Sequence, residues 1–330
     1  MKKKIVGFVF TILLLALFQP AHAQQPGKVV RMGFLDASNA SGMAVLVDTF
    51  RHELNKLGWI EKKNIIIDYR FAENKGADRL TELAKEFVHL KADLIVVTGA
   101  AAALPAKSVT TTIPIVMTNA TDPVAAGLVA SLARPGGNIT GFTAQSVELN
   151  TKRLEILKDA VPRLTQVGLL RTTGSSGPSD LQLNELRATA TALKLKLEEI
   201  ETQFDPKSLE SAFETAKQKQ VNGILTTANR SFFSERKRIV DLAGKHKLPA
   251  IFFQREFVDE GGLMSYGVDY VDLYRRAAHY VDKILKGTKP ADLPVQQATK
   301  FEFIINLKAA KQIGLTLSPE FLARANQVIK

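Results

Sequence analysis

The sequence contains no cysteine among its 330 residues. Disulfides, thiolate metal sites and cysteine nucleophiles are therefore excluded. A lipid on an N-terminal cysteine is excluded for the same reason, because no residue could carry it. The chain must rely on ordinary packed cores, and its 45% apolar and 23% charged residues are proportions typical of globular proteins.

Signatures of common enzyme classes are also missing. The chain has no Gly-x-Ser-x-Gly elbow, no HExxH, no Gly-x-Gly-x-x-Gly after a strand and no phosphate loop ending in Gly-Lys-Ser/Thr. Beyond the N-terminal segment, the histidines are His52, His89, His246 and His279. Each falls within a predicted helix body, where a surface or packing role is favoured over catalysis. The sequence therefore predicts no catalytic residue, no metal site and no cofactor.

One uncharged apolar run stands out, at the N-terminus. Lys2–Lys4 precede the run Ile5–Phe18, and Ala21-His22-Ala23 has the small-residue pattern of a cleavage site. An uncleaved membrane anchor is the alternative, but the run is short for a hydrocarbon core of about 30 Å. We therefore expect residues 1–23 to be a signal peptide cleaved after Ala23, which would release the protein into the periplasm of a double-membraned bacterium.

The basic charge balance does not point to nucleic acid. The formal net charge of +11 falls to +8 without the three lysines of the predicted signal peptide. The remaining basic residues are mixed with acidic ones, as in Glu235–Arg238 followed by Asp241, which is typical of a solvated helix face. We expect no nucleic-acid partner.

Apolar runs alternate along the chain with segments of helical spacing. Leu94–Val97 and Ile113–Met117 are continuous apolar runs, as expected for central strands of a sheet covered on both faces. A helix is predicted over Val124–Leu132 after the second of them. A second alternating set follows from Lys152 onward, so the sequence predicts an α/β fold of two doubly wound parallel-sheet lobes. We expect lobe 1 to comprise 29–142 plus about 269–290, and lobe 2 to comprise 143–268 plus about 291–330.

The segment Arg134–Asn138 separates the two sets. Pro135 would end a helix, Gly136 and Gly137 would supply positive φ, and Asn138 tolerates positive φ as well. The following Ile139–Thr143 would be a strand that carries the chain across to the second lobe, although an ordinary surface loop is the alternative. Repeated crossing would give a multi-strand hinge, which suits closure around a ligand.

Polar and small residues follow three predicted strands of the first lobe. Open α/β sheets bind ligands beyond the carboxyl ends of their strands. Small residues after the third strand would let a ligand carboxylate approach the N–H groups at a helix N-terminus. Asp122 has a second interpretation, since an aspartate before proline is commonly a helix cap. The candidate residues of this lobe are Asp36, Ser38, Gly99, Ala100, Ala101, Asn119, Thr121 and Asp122.

Several motifs occur in an order that resembles a known family. The long block is the most specific of them, and together they span nearly all of the mature chain. They are Phe50–Gly58, Ile113–Val116, Asp122–Gly141, Arg255–Val258, Gly261–Gly267 and Val281–Gly287. On these motifs the chain resembles the ABC-transporter substrate-binding family that includes tryptophan/phenylalanine-binding lipoproteins.

The resemblance implies a type I periplasmic-binding fold, similar to the ligand-binding cores of lac-repressor-type regulators. It also implies delivery of a small solute to a membrane permease and its ATPase. Where many relatives have Thr-Pro after the third strand, this chain has Ala100-Ala101. Where they often have Trp-Asn-Pro in the second lobe, it has Arg171-Thr172-Thr173-Gly174. The ligand therefore stays open among amino acids, including aromatic ones, and other small carboxylates.

The two-lobe arrangement implies that second-lobe residues complete the site. Thr172, Asn229 and Gln254 are expected to face the first-lobe loops, and Tyr266 is the remaining candidate. We expect a monomeric solute-binding protein without enzymatic activity. A periplasmic sensor that presents its bound form to a membrane receptor is one alternative. An exported hydrolase or isomerase using Asp36 and Asp122 is another, although it lacks an identifiable nucleophile.

Overall fold

The computed structural model describes residues 29–144, 146–172, 178–203 and 205–330. The predicted signal peptide and the Thr173-Gly174 pair lie outside the described residues. The strands are β1 (Val30–Asp36), β2 (Ile65–Phe71), β3 (Leu94–Val97), β4 (Ile115–Ala120), β5 (Ile139–Thr143), β6 (Gln166–Thr172), β7 (Lys196–Thr202), β8 (Gly223–Thr226), β9 (Ala250–Phe252), β10 (Met264–Val268), β11 (Gln296–Gln297), β12 (Phe301–Asn306) and β13 (Gln327–Ile329).

Helices alternate with these strands. They are α1 (Ala40–Lys56), α2 (Gly76–His89), α3 (Gly99–Val109), α4 (Ser146–Ala160), α5 (Pro178–Ala192), α6 (Pro206–Gln218), α7 (Arg230–Ser234), α8 (Arg236–Lys245), α9 (Glu256–Asp259), α10 (Tyr270–Leu285), α11 (Leu307–Gln312) and α12 (Pro319–Leu322). Within the described residues, no helix is long and apolar enough to cross a membrane.

Two sheets form the two lobes, and their strand orders match. The first runs β11-β5-β4-β3-β1-β2, and the second runs β13-β12-β10-β9-β8-β6-β7. Each therefore contains the doubly wound order 2-1-3-4-5, with all pairings among those five strands parallel. Strand β12 is antiparallel to β10. The predicted α/β fold of two doubly wound lobes is confirmed.

Apolar patterning explains why these elements pack as they do. Strands β3 and β4 are buried along their whole length, β3 as its continuous apolar sequence predicts and β4 with Thr118 and Asn119 buried beside its apolar residues. Helix α1 begins where the Asn39 side chain accepts a hydrogen bond from the Gly42 N–H at 2.7 Å. Its buried residues recur at helical spacing and cover the sheet: Met43, Leu46, Val47, Phe50 and Leu54.

The chain passes between the lobes three times in the described structure. The first passage leads from β5 to α4, the second from β10 to α10, and the third from β11 to β12. Helix α10 packs against α1 and β4 of the first lobe. Segment 291–330 does not belong wholly to the second lobe, because Gln296–Gln297 pair with Phe142 and Thr143 of β5. The third passage therefore lies after Gln297.

Two local predictions are wrong. No helix forms over Val124–Leu132, because Asp122 (φ 37°) and Gly127 (φ 66°) both take positive φ and confine the segment to turns. In the turn before β5, Gly136 has φ 77°, but Gly137 and Asn138 do not have positive φ. Asn138 instead donates through Nδ2 to the Ile113 carbonyl at 2.7 Å, which fastens the turn to the strand before it.

Candidate ligand-binding cleft

Two adjoining cavities lie between the lobes, beyond the carboxyl ends of the strands. The larger has a volume of about 460 Å³ and the smaller about 210 Å³. Helix α3 and the segment after β4 contribute from the first lobe, and the end of β6, helix α5 and the segment after β8 contribute from the second. The residues that line both cavities are Ala100, Ala101, Thr121, Ala228 and Asn229. The cavities are therefore two parts of one cleft, at the place where doubly wound folds bind ligands.

The larger cavity has a mainly apolar wall. Its leucines come from both lobes: Leu104 from α3, Leu169 from β6, and Leu183 and Leu186 from α5. Arg171 is the cation in this wall, and its Nη1 lies 2.5 Å from a carboxylate oxygen of Glu199. The volume falls within the range of about 300–1,000 Å³ that is common for small-molecule sites.

The first turn of α3 faces the smaller cavity. Thr98 precedes the helix, but its hydroxyl donates to Asp36 rather than accepting from the helix N–H groups. No side chain caps this turn, and Gly99 with φ 71° lets the chain enter the helix directly from β3. Gly99, Ala100 and Ala101 line the cavity. Uncapped N–H groups and the helix dipole make this end of the cavity favourable for negative charge.

Arg230 faces α3 from the second lobe. It follows Asn229, whose side chain accepts from the Ser231 N–H at 2.7 Å and so begins the short helix α7. The Arg230 guanidinium lies 4.8 Å from the ring centroids of both Phe233 and Tyr270, and the residue is 8% exposed. Stacking between two rings fixes the direction of the guanidinium plane.

Gln254 binds the Arg230 guanidinium through its side chain. Its Oε1 accepts from Arg230 Nη2 at 2.6 Å, and its Nε2 donates to Glu256 at 3.2 Å. Burial raises the pKa of Glu256 above its ordinary value, and the nearby Arg230 acts in the opposite direction. Gln254 is 2% exposed and lines neither cavity, so it positions the arginine that does.

A second arginine is buried beside the cleft. Arg153 on α4 is 1% exposed, and burial lowers its pKa to about 10. Its Nε donates to the Tyr266 carbonyl at 2.7 Å, and its Nη1 donates to the Asn150 side chain. Asn150 lines the larger cavity. Tyr266 itself contacts Phe303 and lines neither cavity, so its carbonyl positions Arg153.

Comparison with known proteins decides the family. The family model "ABC transporter substrate binding protein" matches residues 37–329. The chain belongs to this family. A tyrosine-binding protein of Clostridioides difficile is 30% identical over 266 residues, which are 81% of this chain and 75% of that protein.

Solved structures of other substrate-binding proteins superpose on the chain. A Streptococcus pneumonia domain in complex with L-Trp is 26% identical with a TM-score of 0.80, covering 91% of this chain and 99% of that one. A ligand-free, open substrate-binding protein from Clostridium difficile is 25% identical with a TM-score of 0.62, covering 92% and 99%. The two structures are almost equally identical to the present chain in sequence, but the higher TM-score shows that the present structure superposes better on the L-Trp complex than on the open, ligand-free protein.

The sequence-predicted site residues divide into two groups in this substrate-binding protein. Those that line the cleft are Gly99, Ala100, Ala101, Asn119, Thr121, Thr172 and Asn229. Those that line neither cavity are Asp36, Ser38, Asp122, Gln254 and Tyr266.

Asp36 and Asp122 do not face the cleft for different reasons. Asp36 is fully buried, with one oxygen accepting from the Ser38 N–H and hydroxyl and the other from Thr98. Asp122 is exposed, and its Oδ1 accepts from the Ala125 N–H at 3.0 Å. This is the bond that a capping aspartate makes, although the segment that follows forms a turn and not a helix. These placements remove the pair of acids on which an exported hydrolase or isomerase would depend.

Sequence reasoning missed several residues of the cleft. Arg230 and Tyr270 line the smaller cavity, and Asn150 and Arg171 line the larger. Arg230 directly follows the predicted site residue Asn229. Its position at the start of the helix after β8 was the sequence feature that could have identified it as a site residue. Tyr270 begins α10, which returns to the first lobe, and no local pattern links it to this site.

Proposed function

We propose that this protein captures a small solute in the cleft between its lobes and delivers it to an ABC permease and its ATPase at the inner membrane. The carrying observation is that loops of both lobes line one pair of adjoining cavities. Closure of the lobes would then enclose the solute, and the closed form would be the one presented to the permease. The protein would act in the periplasm as a monomer, after removal of residues 1–23.

The proposed ligand is an amino acid or another small carboxylate. The first turn of α3 and Arg230 offer favourable partners for a carboxylate from opposite lobes. The leucine wall of the larger cavity suits an apolar body. The tyrosine-binding relative and the L-Trp complex support an aromatic body of this kind.

The lining residues favour binding over catalysis. Those that the structure describes supply hydroxyl, amide and guanidinium groups. They include no histidine and no carboxylate that could transfer a proton to or from a substrate. We infer that the protein binds its solute without changing it.

A thermal-shift screen of refolded protein tests this function. The compounds are the twenty amino acids, aromatic and aliphatic carboxylic acids, and sugars. A true ligand at 100 times its dissociation constant adds about 2.7 kcal/mol to the free energy of unfolding. Isothermal titration calorimetry then gives the stoichiometry, which should be one ligand per chain. If no compound shifts the melting temperature, the proposed role in solute capture is wrong.

A further inference from the structure

Two buried arginines border the cleft. Arg153 and Arg230 are both more than nine-tenths buried. Both lie near Tyr270, whose side chain is within electrostatic range of both guanidinium groups. A buried guanidinium without a counter-charge is unfavourable, because it has lost its hydration.

Two buried carboxylates lie near this cluster among the described residues, Glu256 and Asp36. Glu256 contacts Gln254, and Gln254 contacts Arg230. Arg153 donates its described hydrogen bonds to neutral oxygens, those of the Tyr266 carbonyl and the Asn150 amide. Neither Asp36 nor Glu256 lines the smaller cavity, whereas Arg230 does, so an anion there would meet the guanidinium directly.

The smaller cavity gives that anion a place. Arg230 lines it from the second lobe, and Tyr270 and the uncapped first turn of α3 line it from the first. Asn119 lines it as well, and because its Oδ1 accepts from Thr118 at 2.6 Å, its amide nitrogen is the group that can donate to a ligand. The groups that converge here are therefore mainly donors and cations, the partners of a carboxylate.

The same surroundings are unfavourable for an ammonium group. Arg230 lines the smaller cavity, and no carboxylate is among the residues of that cavity that the structure describes. Arg171 of the larger cavity is paired with Glu199. An amino acid would have to place its α-ammonium near its carboxylate, and so within reach of Arg230. Like charges at such a separation in a poorly hydrated cleft repel each other.

We propose that the preferred solute is a monocarboxylic acid with an apolar body, and that an α-ammonium group is not required for binding. The carboxylate lies between Arg230 and the first turn of α3, and the body occupies the larger cavity. This inference rests on the proposed function, since it names the ligand class of the same cleft.

Calorimetry with three matched compounds tests it: 3-(4-hydroxyphenyl)propionate, L-tyrosine and tyramine. They share the phenol and differ in the carboxylate and the ammonium. The acid should bind at least as tightly as tyrosine. Tyramine should bind at least about 100-fold more weakly than the acid, because it loses the charge-assisted hydrogen bonds and meets the arginines. Tyrosine binding ten-fold or more tightly than the acid, or comparable binding of tyramine, would overturn the proposal.

The outcome is separable from that of the proposed function. If the acid and tyrosine both fail while a sugar or another neutral solute binds with one-to-one stoichiometry, the ligand class proposed here is wrong and solute capture stands. If no solute binds, both are wrong.

Substitution of Arg230 separates a ligand contact from a structural role. Arg230→Gln should weaken binding of 3-(4-hydroxyphenyl)propionate by about 30-fold, the loss expected for charge-assisted hydrogen bonds. The affinity of Arg230→Gln for the neutral 3-(4-hydroxyphenyl)propionamide should stay within about three-fold of the wild-type value, because the amide has no charge that could pair with the arginine. Arg230→Lys keeps the charge and should retain part of the preference for acid over amide.

Arg238→Gln is the matched control. Arg238 lies on α8 with 39% of its side chain exposed and lines neither cavity, so neither compound should change its affinity. Melting temperatures of the ligand-free variants show whether each is folded. If Arg230→Gln and Arg230→Lys both weaken acid and amide equally, or weaken neither, Arg230 is not the partner of the carboxylate.

Discussion

Gly42 of the first lobe and Ser234 of the second lie so close that a β-carbon at position 42 would be 2.6 Å from the Ser234 Cα. Arg236 adds a bond across the same contact, from Nη1 to the Gly42 carbonyl at 3.1 Å. The Ser231 hydroxyl donates to the Asn74 side chain nearby. The lobes therefore touch through backbone where α1 meets α7, and Ser231 of this contact also lines the smaller cavity.

Gly42→Ala should weaken ligand binding by about ten-fold or more without unfolding the protein. The added methyl clashes with Ser234 in the present arrangement, and overpacking of this kind costs about 1–3 kcal/mol. An open arrangement would relieve the clash. Calorimetry gives the affinity, and small-angle scattering shows whether the ligand still reduces the radius of gyration.

Gly244→Ala is the control for this prediction. Gly244 lies in α8 with no atom within 4 Å of the added carbon, so affinity should not change and the helix should gain up to about 1 kcal/mol. Unchanged affinity and unchanged compaction in Gly42→Ala would show that the contact with Ser234 plays no part in closure.

Ala100→Glu should abolish binding of a carboxylate ligand while leaving the fold intact. Ala100 lines both cavities at the first turn of α3, where a glutamate would fill space and place negative charge beside the ligand carboxylate. The helix itself favours an acidic residue there by about 0.3–1 kcal/mol. Ala77→Glu introduces the same charge in the exposed first turn of α2, away from the cleft, and should bind normally. If Ala100→Glu binds the ligand with unchanged affinity, the first turn of α3 does not contact the ligand.

The buried Glu256 predicts a particular pH dependence. Because burial raises its pKa, the folded protein favours the protonated form more than the unfolded chain does. The stability associated with this group is present below the unfolded pKa of about 4.3 and is lost as pH rises through the higher folded value. Relative to Glu256→Gln, the melting temperature of the wild type should therefore fall between pH 4.5 and pH 8. A rise over this interval would mean that Arg230 outweighs burial.

Two glycines near the first passage between lobes should respond very differently to alanine. Gly141 has φ 135°, and a β-carbon there would lie 2.1 Å from the Met117 carbonyl oxygen, so Gly141→Ala should destabilise the protein by at least about 2–3 kcal/mol. Gly137 lacks positive φ and has no atom within 4 Å of the added carbon, so Gly137→Ala should be nearly neutral. Urea unfolding measures both. Equal effects would contradict the tight pairing of β4 and β5.

Export is tested by the N-terminus of the mature protein. Osmotic shock of the native bacterium should release a chain that begins at Gln24, because Ala21-His22-Ala23 precedes the predicted cleavage site. N-terminal sequencing of that fraction identifies the first residue. An intact Met1 on membrane-bound protein would contradict both cleavage and release.

The fold could be predicted from sequence because its signals are local. Buried central strands such as β3 and β4 require continuous apolar runs, and repeated alternation with helical spacing leaves few alternatives to parallel sheets. The exceptions are equally local. Positive φ at Asp122 and Gly127 gives turns in place of the helix predicted over Val124–Leu132.

The site could be predicted only where one strand and the loop after it determine it. Gly99, Ala100 and Ala101 follow β3 directly, so their position at the carboxyl edge of the sheet was readable. Asp36 likewise lies at the carboxyl end of a strand, β1. Its side chain nevertheless accepts a hydrogen bond from Thr98, 62 positions later, and does not line the cleft. Arg230 stacks on Tyr270, which comes from the opposite lobe, so their contact depends on how the lobes meet.

Neither lobe is a continuous piece of chain, and this affects every truncated form of the protein. The faces of α1 and β4 that α10 covers stay uncovered until Tyr270–Leu285 has been made, and β5 lacks its outer neighbour until Gln296–Gln297 follows. A fragment that ends before Tyr270 would expose these apolar surfaces and aggregate readily. The first lobe can therefore be completed only after nearly all of the sequence has been synthesised.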